Sequence, residues 1–341
     1  MIRELLPRLL RGDHLSREES GAAVHAMVSG EVGDAQIGAF LAALALRGET
    51  ADELLGGAET LRAEAVPFPS RREPILDTCG TGGDGAHTFN ISTAAALVAA
   101  ASGVAVAKHG NRSVSSRSGS ADVLEALGAS IDLGPQGAAL ILDEIGFTFL
   151  NARRFHPAMR HVARARTELG IRTLFNWLGP LSNPAHATHQ LLGVPDRDRV
   201  TTVAEVLSRL GVRRALVVHG AGGLDELSLE DGNVTVETGA GGVGEPQSLE
   251  ARSIGLAPSD ARAIQGGDPA ENARIIRGLF SGERGPRRDS LVLNAAAALW
   301  VADAAPTIAE GAVLAAEQLD SGRAMKILDR FVALSRKVGT E

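Results

Sequence analysis

The chain has 341 residues, 44% of them hydrophobic and 22% charged, with a formal net charge of −7. That is the composition of a globular protein with ample material for a core. The acidic balance disfavours nonspecific nucleic-acid binding, and 3% aromatics with no Tyr leave little to stack on single-stranded bases. The single cysteine, Cys79, makes an internal disulfide impossible, suits a reducing compartment and reads as a buried inert thiol.

The N-terminal run MIRELLPRLLRGDHLS carries charges throughout, so it is not read as a signal peptide. The apolar stretch from Ala94 to Ala107 is broken by Ser102 and Gly103 and is too short for a bilayer. A soluble intracellular protein is expected. Residues 1–66 read as helices: Ser16-Arg17-Glu18-Glu19 and Thr50-Ala51-Asp52-Glu53 fit capping boxes, and Ile37, Phe40, Leu41 and Leu44 recur at helical spacing between them. Pro67 and Pro69 suggest a domain boundary.

Beyond Pro74, short apolar runs alternate with glycine-rich loops and helices. Strands are predicted at Ile75-Leu76, Val104–Ala107, Phe147–Leu150 and Ala215–Val218, and helices at Thr93–Ala101, Ser120–Leu127 and Pro157–Leu169. The alternation predicts an α/β fold, a mostly parallel sheet covered by helices, with ligands beyond the carboxyl ends of the strands. Gly239–Gly244 reads as a flexible turn, Thr307–Glu310 as another capping box, and Gly322–Lys337 as the last helix.

Four places carry candidate chemistry. The loop Gly80-Thr81-Gly82-Gly83-Asp84-Gly85 follows a strand; its glycines allow close backbone approach and anion-binding amides, with Asn90, Ser92 and Thr93 opening the next helix. The same letters match G-x-G-x-x-G, but a dinucleotide site needs an acid at the second strand end, where Lys108 stands. A plain tight turn is the alternative. The run Lys108 to Ser116, extended by Arg117 to Ser120, is dense in donors and reads either as a second polyanion loop or as a solvated basic turn. Arg166 falls on an apolar stripe with Met159, Val162 and Leu169, which demands an anionic partner, either a ligand carboxylate or an internal acid. Asp225 and Glu226 follow a strand and are either Mg²⁺ ligands or merely solvated.

Taken together, GTGGD at 80–84, NIST at 90–93, KHGNR at 108–112, SGSADVLEALG at 118–128, HPAM at 156–159, GIRTLFNWLGPLSNPA at 170–185, Asp225-Glu226 and SGRAMKIL at 321–328 resemble the motif series of anthranilate phosphoribosyltransferases. The resemblance covers nearly the whole chain. It implies a small helical domain hinged to an α/β domain with the nucleoside phosphorylase and phosphoribosyltransferase layout. The small domain is expected at 1–66, with roughly 157–186 packing on it, as the dimerisation and anthranilate side. The α/β domain is expected at 67–156 and 187–341, as the phosphoribosyl pyrophosphate (PRPP) and metal side.

By the same resemblance PRPP is held by Gly80, Gly83, Asp84, Thr88, Asn90, Ile91, Ser92 and Thr93, and by Lys108, His109, Gly110, Asn111, Arg112, Ser113, Val114, Ser115, Ser116 and Ser120. Anthranilate is held by Gly80, Asn111 and Arg166, and two Mg²⁺ ions per subunit by Ser92, Asp225 and Glu226. A cytoplasmic homodimer of the tryptophan pathway is implied, with no nucleic-acid or membrane partner. No general base is assigned, because an aromatic amine is already a neutral nucleophile. Competing readings are a pyrimidine nucleoside phosphorylase-like enzyme, an NAD-dependent dehydrogenase and a noncatalytic nucleic-acid-binding relative.

Overall fold

A computed structural model describes residues 1–70, 72–113 and 117–338. The chain opens with four helices, α1 (Ile2–Leu10), α2 (Arg17–Val28), α3 (Asp34–Arg47) and α4 (Ala51–Ala63). Both predicted capping boxes form: Ser16 and Thr50 accept from the amides of Glu19 and Glu53, whose carboxylates accept in return from the cap amides. Ile37, Phe40, Leu41 and Leu44 are all fully buried, as their spacing predicts. Glu53 is equally buried and is a hub, because Oε1 also accepts from the Leu15 amide at 2.8 Å and from the Arg47 guanidinium.

The second part alternates as expected: β1 (Ile75–Gly80), α5 (Ile91–Ala101), β2 (Ala105–Gly110), α6 (Ser120–Ala126), α7 (Pro135–Ile145), β3 (Phe147–Asn151) and the short α8 (Ala152–Phe155). Two helices, α9 (Arg160–Leu169) and α10 (Leu174–Leu181), then pack back against the first four. The chain returns through β4 (His189–Gly193), α11 (Val200–Arg209), β5 (Arg214–His219), β6 (Val234–Gly239), β7 (Gly242–Val243) and β8 (Gln247–Ser248), and ends in α12 (Pro269–Phe280), α13 (Pro286–Val301), α14 (Ile308–Asp320) and α15 (Arg323–Val338).

The sheet order is β3-β2-β1-β4-β5-β6-β7, with β8 pairing β6; β1 to β5 run parallel and β6 to β8 add an antiparallel edge. One core lies between the sheet and α5, α6, α7 and α12 to α15. The other joins the opposite face of β4, β5 and α11 to α1–α4, α9 and α10. Helix α5 (ISTAAALVAAA) is apolar all round and buried along nearly all its length, so its small side chains let α13 come close.

Four expectations change. β2 does not stop at Ala107: Lys108, His109 and Gly110 continue it by pairing with Phe149, Leu150 and Asn151, so Lys108 is a buried strand residue and not a loop cation. Pro157–Met159 forms a separate 3₁₀ turn before α9. Gly239–Gly244 lies in the hairpin that joins β6 to β7, with Gly242 at φ +95°. The box at Thr307 is half formed, its hydroxyl accepting from the Glu310 amide at 3.1 Å.

Thr50→Ala should cost about 1 kcal/mol, the usual worth of an N-cap. Glu53→Ala should cost about 2–3 kcal/mol, because it strips an acceptor from two amides and a guanidinium at once. Urea midpoints at constant slope measure both.

Candidate active site

The strand order reverses between β1 and β4, the place where open parallel sheets bind ligands. Both strands end in glycine at the same register, Gly80 opposite Gly193. The polypeptide carrying Asp225 lies directly on this pair. A Cβ on Gly80 would collide with the Asp225 carboxylate, and one on Gly193 with the Asp225 carbonyl. Asp225 reaches this place from β5 through the turn Gly220–Leu224, with Gly222 at φ +78° and Gly223 at φ +86°. Its Oδ2 accepts from the Gly82 amide at 2.7 Å.

Burial, then the nearby Asp84, raises the Asp225 pKa to about 7. Burial, then Asp225, pushes Glu226 well above the ordinary range. Glu226 Oε1 accepts from the Ser92 amide at 2.9 Å, while its buried Oε2 has no partner among the described residues. Beside them the buried Lys108 ammonium donates to the Thr78 carbonyl and, at 3.3 Å, to Ser92 Oγ. Burial lowers its pKa, opposed chiefly by Asp77. No set of three or more His, Cys, Asp or Glu side chains is grouped to hold a metal by itself among the described residues. Two carboxylates and a hydroxyl, one oxygen buried and unsatisfied, do fit Mg²⁺, which takes few protein ligands and completes its shell with water and substrate phosphate.

Over these acids opens a cavity of about 290 Å³. Of the sequence-predicted residues, Gly80, Gly83, Asp84, Thr88, Asn90, Ser92, Thr93, Lys108, His109, Gly110, Asn111, Arg112, Ser113, Ser120, Asp225 and Glu226 line it. Ile91 is wholly buried and outside the lining; Arg166, half-buried, is outside it too. Val114, Ser115 and Ser116 lie outside the described residues. Arg112 and Asn90, too, are engaged internally. Arg112 pairs with Asp122 at 3.1 Å and Glu125 at 2.6 Å. Asn90 Oδ1 accepts from Ser118 Oγ and Asn272 Nδ2, and its Nδ2 donates to the Ser118 carbonyl at 3.0 Å, so it ties the first loop to the second and to α12.

Arg166 lies 5.4 Å over the Phe175 ring, and Asn176, next in the chain, lines the cavity. Burial alone lowers the Arg166 pKa, and no carboxylate pairs with it among the described residues, which removes the internal-acid alternative. The rings of His109 and His156 pack at a tilt of 58° with centroids 5.1 Å apart; burial brings their pKa values down to about 3 and about 4. His109 Nδ1 meets the Gly179 carbonyl at 3.2 Å and His156 Nε2 the Ser182 carbonyl at 3.0 Å. Sequence reasoning did not single out Arg172, Asn176 or Asn272. The first two stand in the quoted run 170–185 with no local pattern marking them, and Asn272 carries no sequence signal at all.

Residues 72–325 match the glycosyl transferase family a/b domain and residues 3–65 the glycosyl transferase family helical bundle domain. Anthranilate phosphoribosyltransferases of Roseiflexus sp. (strain RS-1) and Thermomicrobium roseum are 48% and 50% identical, each over 98% of this chain and 98% and 97% of their own lengths. A crystal structure of the Thermus thermophilus anthranilate phosphoribosyltransferase superposes with a TM-score of 0.91 at 47% identity, covering 97% of this chain and 99% of that one. The Saccharomyces cerevisiae enzyme in complex with PRPP and Mg superposes at 0.90 with 28% identity, covering 98% of both chains.

The neutral histidine pair generates a pH prediction. Folded pKa values of about 3 and about 4 lie below the unfolded 6.5, so the unfolded chain takes up protons first as pH falls. Below pH ~6.5 each histidine should remove about 1.4 kcal/mol of stability per pH unit. His109→Gln should change the observed slope by about 1.4 kcal/mol per pH unit between pH 6.5 and about 4.5, read by urea titration.

Proposed function

The chain belongs to the anthranilate phosphoribosyltransferases, pentosyltransferases of the glycosyltransferase family, and on that premise we propose that it transfers the 5-phosphoribosyl group of PRPP to the amine of anthranilate. The products are N-(5-phosphoribosyl)anthranilate and pyrophosphate, in the second step from chorismate to tryptophan. The observation that carries this reading is the convergence, in one cavity at the sheet's switch point, of a glycine loop, a donor-rich loop and a buried acid pair.

The glycine loop with Asp84, Thr88 and Asn90 to Thr93, and the run Lys108 to Ser116 with Ser120, form the PRPP side. Ser92, Asp225 and Glu226 would hold Mg²⁺, two ions per subunit. When bound, Mg²⁺ neutralises charge that grows on the departing pyrophosphate. Gly80, Asn111 and Arg166 orient anthranilate, the arginine through its carboxylate; Arg166 suits this because its guanidinium is half-buried and meets no acid among the described residues.

In the reaction the bond from the anomeric carbon to pyrophosphate oxygen breaks, a bond to the amine nitrogen forms, and the amine loses a proton. The transition state is oxocarbenium-like. Backbone amides and donors of the two loops stabilise the leaving charge, and alignment supplies the rest, so no general base is required.

The domain division we propose puts 1–66 with roughly 157–186 on the anthranilate side and 67–156 with 187–341 on the PRPP side. We also propose a cytoplasmic homodimer through the small domains. No helix among the described residues is long and apolar enough to cross a membrane.

Pure protein mixed with anthranilate, PRPP and Mg²⁺ should quench anthranilate fluorescence, and omission of any component should stop the decay. Persistent fluorescence in the complete mixture would sink the assignment. Arg166→Ala should raise the KM for anthranilate roughly a hundredfold, the worth of a charge-assisted pair, with the KM for PRPP little changed. Asp225→Asn combined with Glu226→Gln should move the Mg²⁺ activation curve to higher concentration; an unchanged metal titration would remove both from the site.

A further inference from the structure

Arg172 stands in the short link 170–173 between α9 and α10. It crosses to the first glycine loop, where Nη1 donates to the Gly82 carbonyl and Nη2 to Thr81 Oγ1 at 3.0 Å. The loop is shaped for this visit. Gly83 has φ +78°, and a Cβ there would run into Arg172 Nη1. The guanidinium also lies 5.1 Å over the ring of Trp177. Arg199 sits on that same ring at 5.7 Å and pairs with the buried Glu49 at 3.5 Å, on the turn between α3 and α4. Arg172 is thus braced from the helical side and reaches to the loop side.

The contact falls at an informative place. The Gly82 peptide is held from two directions, its amide by Asp225 and its carbonyl by Arg172. Thr81 is held as well, its amide by the Gly193 carbonyl at 2.9 Å and its hydroxyl by Arg172. Glycines at 82 and 83 have positive φ and no side chains to fix them. Without an outside restraint such a run samples many conformations, and ordering it would draw on binding energy.

We propose that Arg172 is a positioning residue for the phosphoribosyl donor: it fixes the Thr81–Gly83 backbone from the acceptor side, acting through Gly82 and Thr81 and not by touching substrate. The proposal rests on the transferase reading above. It also couples the two halves of the site. The strip from α9 to α10 carries Arg166 and Asn176, and Arg172 attaches that strip to the loop beside Asp84. Lysine cannot replace it, because one ammonium cannot serve two divergent acceptors with a planar face stacked on an indole.

Steady-state kinetics with each substrate varied in turn test this on the whole protein. Arg172→Ala is expected to raise the KM for PRPP about tenfold, the size of one lost charge-assisted hydrogen bond, while the KM for anthranilate stays within about twofold. Arg172→Lys is expected to behave like the alanine variant, and added guanidinium ion to lower the raised KM. Should Arg172→Ala unfold, Thr81→Val, which deletes a single acceptor, is expected to raise the KM for PRPP about threefold. Unchanged PRPP kinetics in the folded variant, an equal rise for both substrates, or full recovery in Arg172→Lys would overturn the proposal. A wild-type protein that leaves anthranilate unconsumed would instead overturn the transferase reading.

Discussion

The site is organised by a contact that only glycine permits. Two adjacent strands, β1 and β4, end together at Gly80 and Gly193, and Asp225 rests where two Cβ atoms would otherwise stand, its carboxylate against Gly80 and its main chain against Gly193. This seats the acid pair under the glycine loop, deep enough that water cannot stabilise its charge. Placing a methyl group at either glycine would lift the acid-bearing loop, and with it Glu226, away from the Ser92 amide. The antiparallel addition of β6 is part of the same construction, because the segment between β5 and β6 carries both acids back over the sheet.

The electrostatic balance across the site is uneven. Asp84, Asp225 and Glu226 crowd one another, and the nearby cations are already committed, Lys108 to the Thr78 carbonyl and Ser92 Oγ and Arg172 to the Gly82 carbonyl and Thr81 Oγ1. On the helical side the opposite condition holds: Arg166 is half-buried over Phe175 and has no acid beside it among the described residues. Excess negative charge on one wall and an uncompensated cation on the other suit a dication with a polyphosphate sugar and a carboxylate-bearing aromatic, respectively. Each group that is costly when buried without a partner becomes favourable when its partner binds.

Much of this was legible in local sequence. The capping boxes at Ser16 and Thr50, the helical spacing from Ile37 to Leu44, and the strand–glycine–helix run from Ile75 to Ala101 are short-range patterns, and all form, with β1 running on to Gly80 and α5 starting two residues earlier, at Ile91. What escaped depends on distant pairing. β2 extends through Gly110 because β3 lies beside it, and the letters of Lys108-His109-Gly110 look like a loop. Arg172 meets a carbonyl 90 positions away, and Asn272 meets Asn90 at a separation of 182. Arg112, expected to face an anionic ligand, finds Asp122 and Glu125 because α6 turns back across its own loop. Spacing along the chain reveals which residues are equipped for a task, whereas the fold decides which are already engaged.

The lone thiol has a practical consequence. Cys79 lies in the centre of the sheet, its Sγ accepting from Gln190 Nε2 at 3.2 Å, and burial together with Asp77 keeps it protonated. Alkylating reagents attack the thiolate, so the folded protein should resist them almost completely. The rate at which a maleimide dye consumes that single sulfur is then a built-in clock for how often the centre of the fold, beneath the cavity, opens.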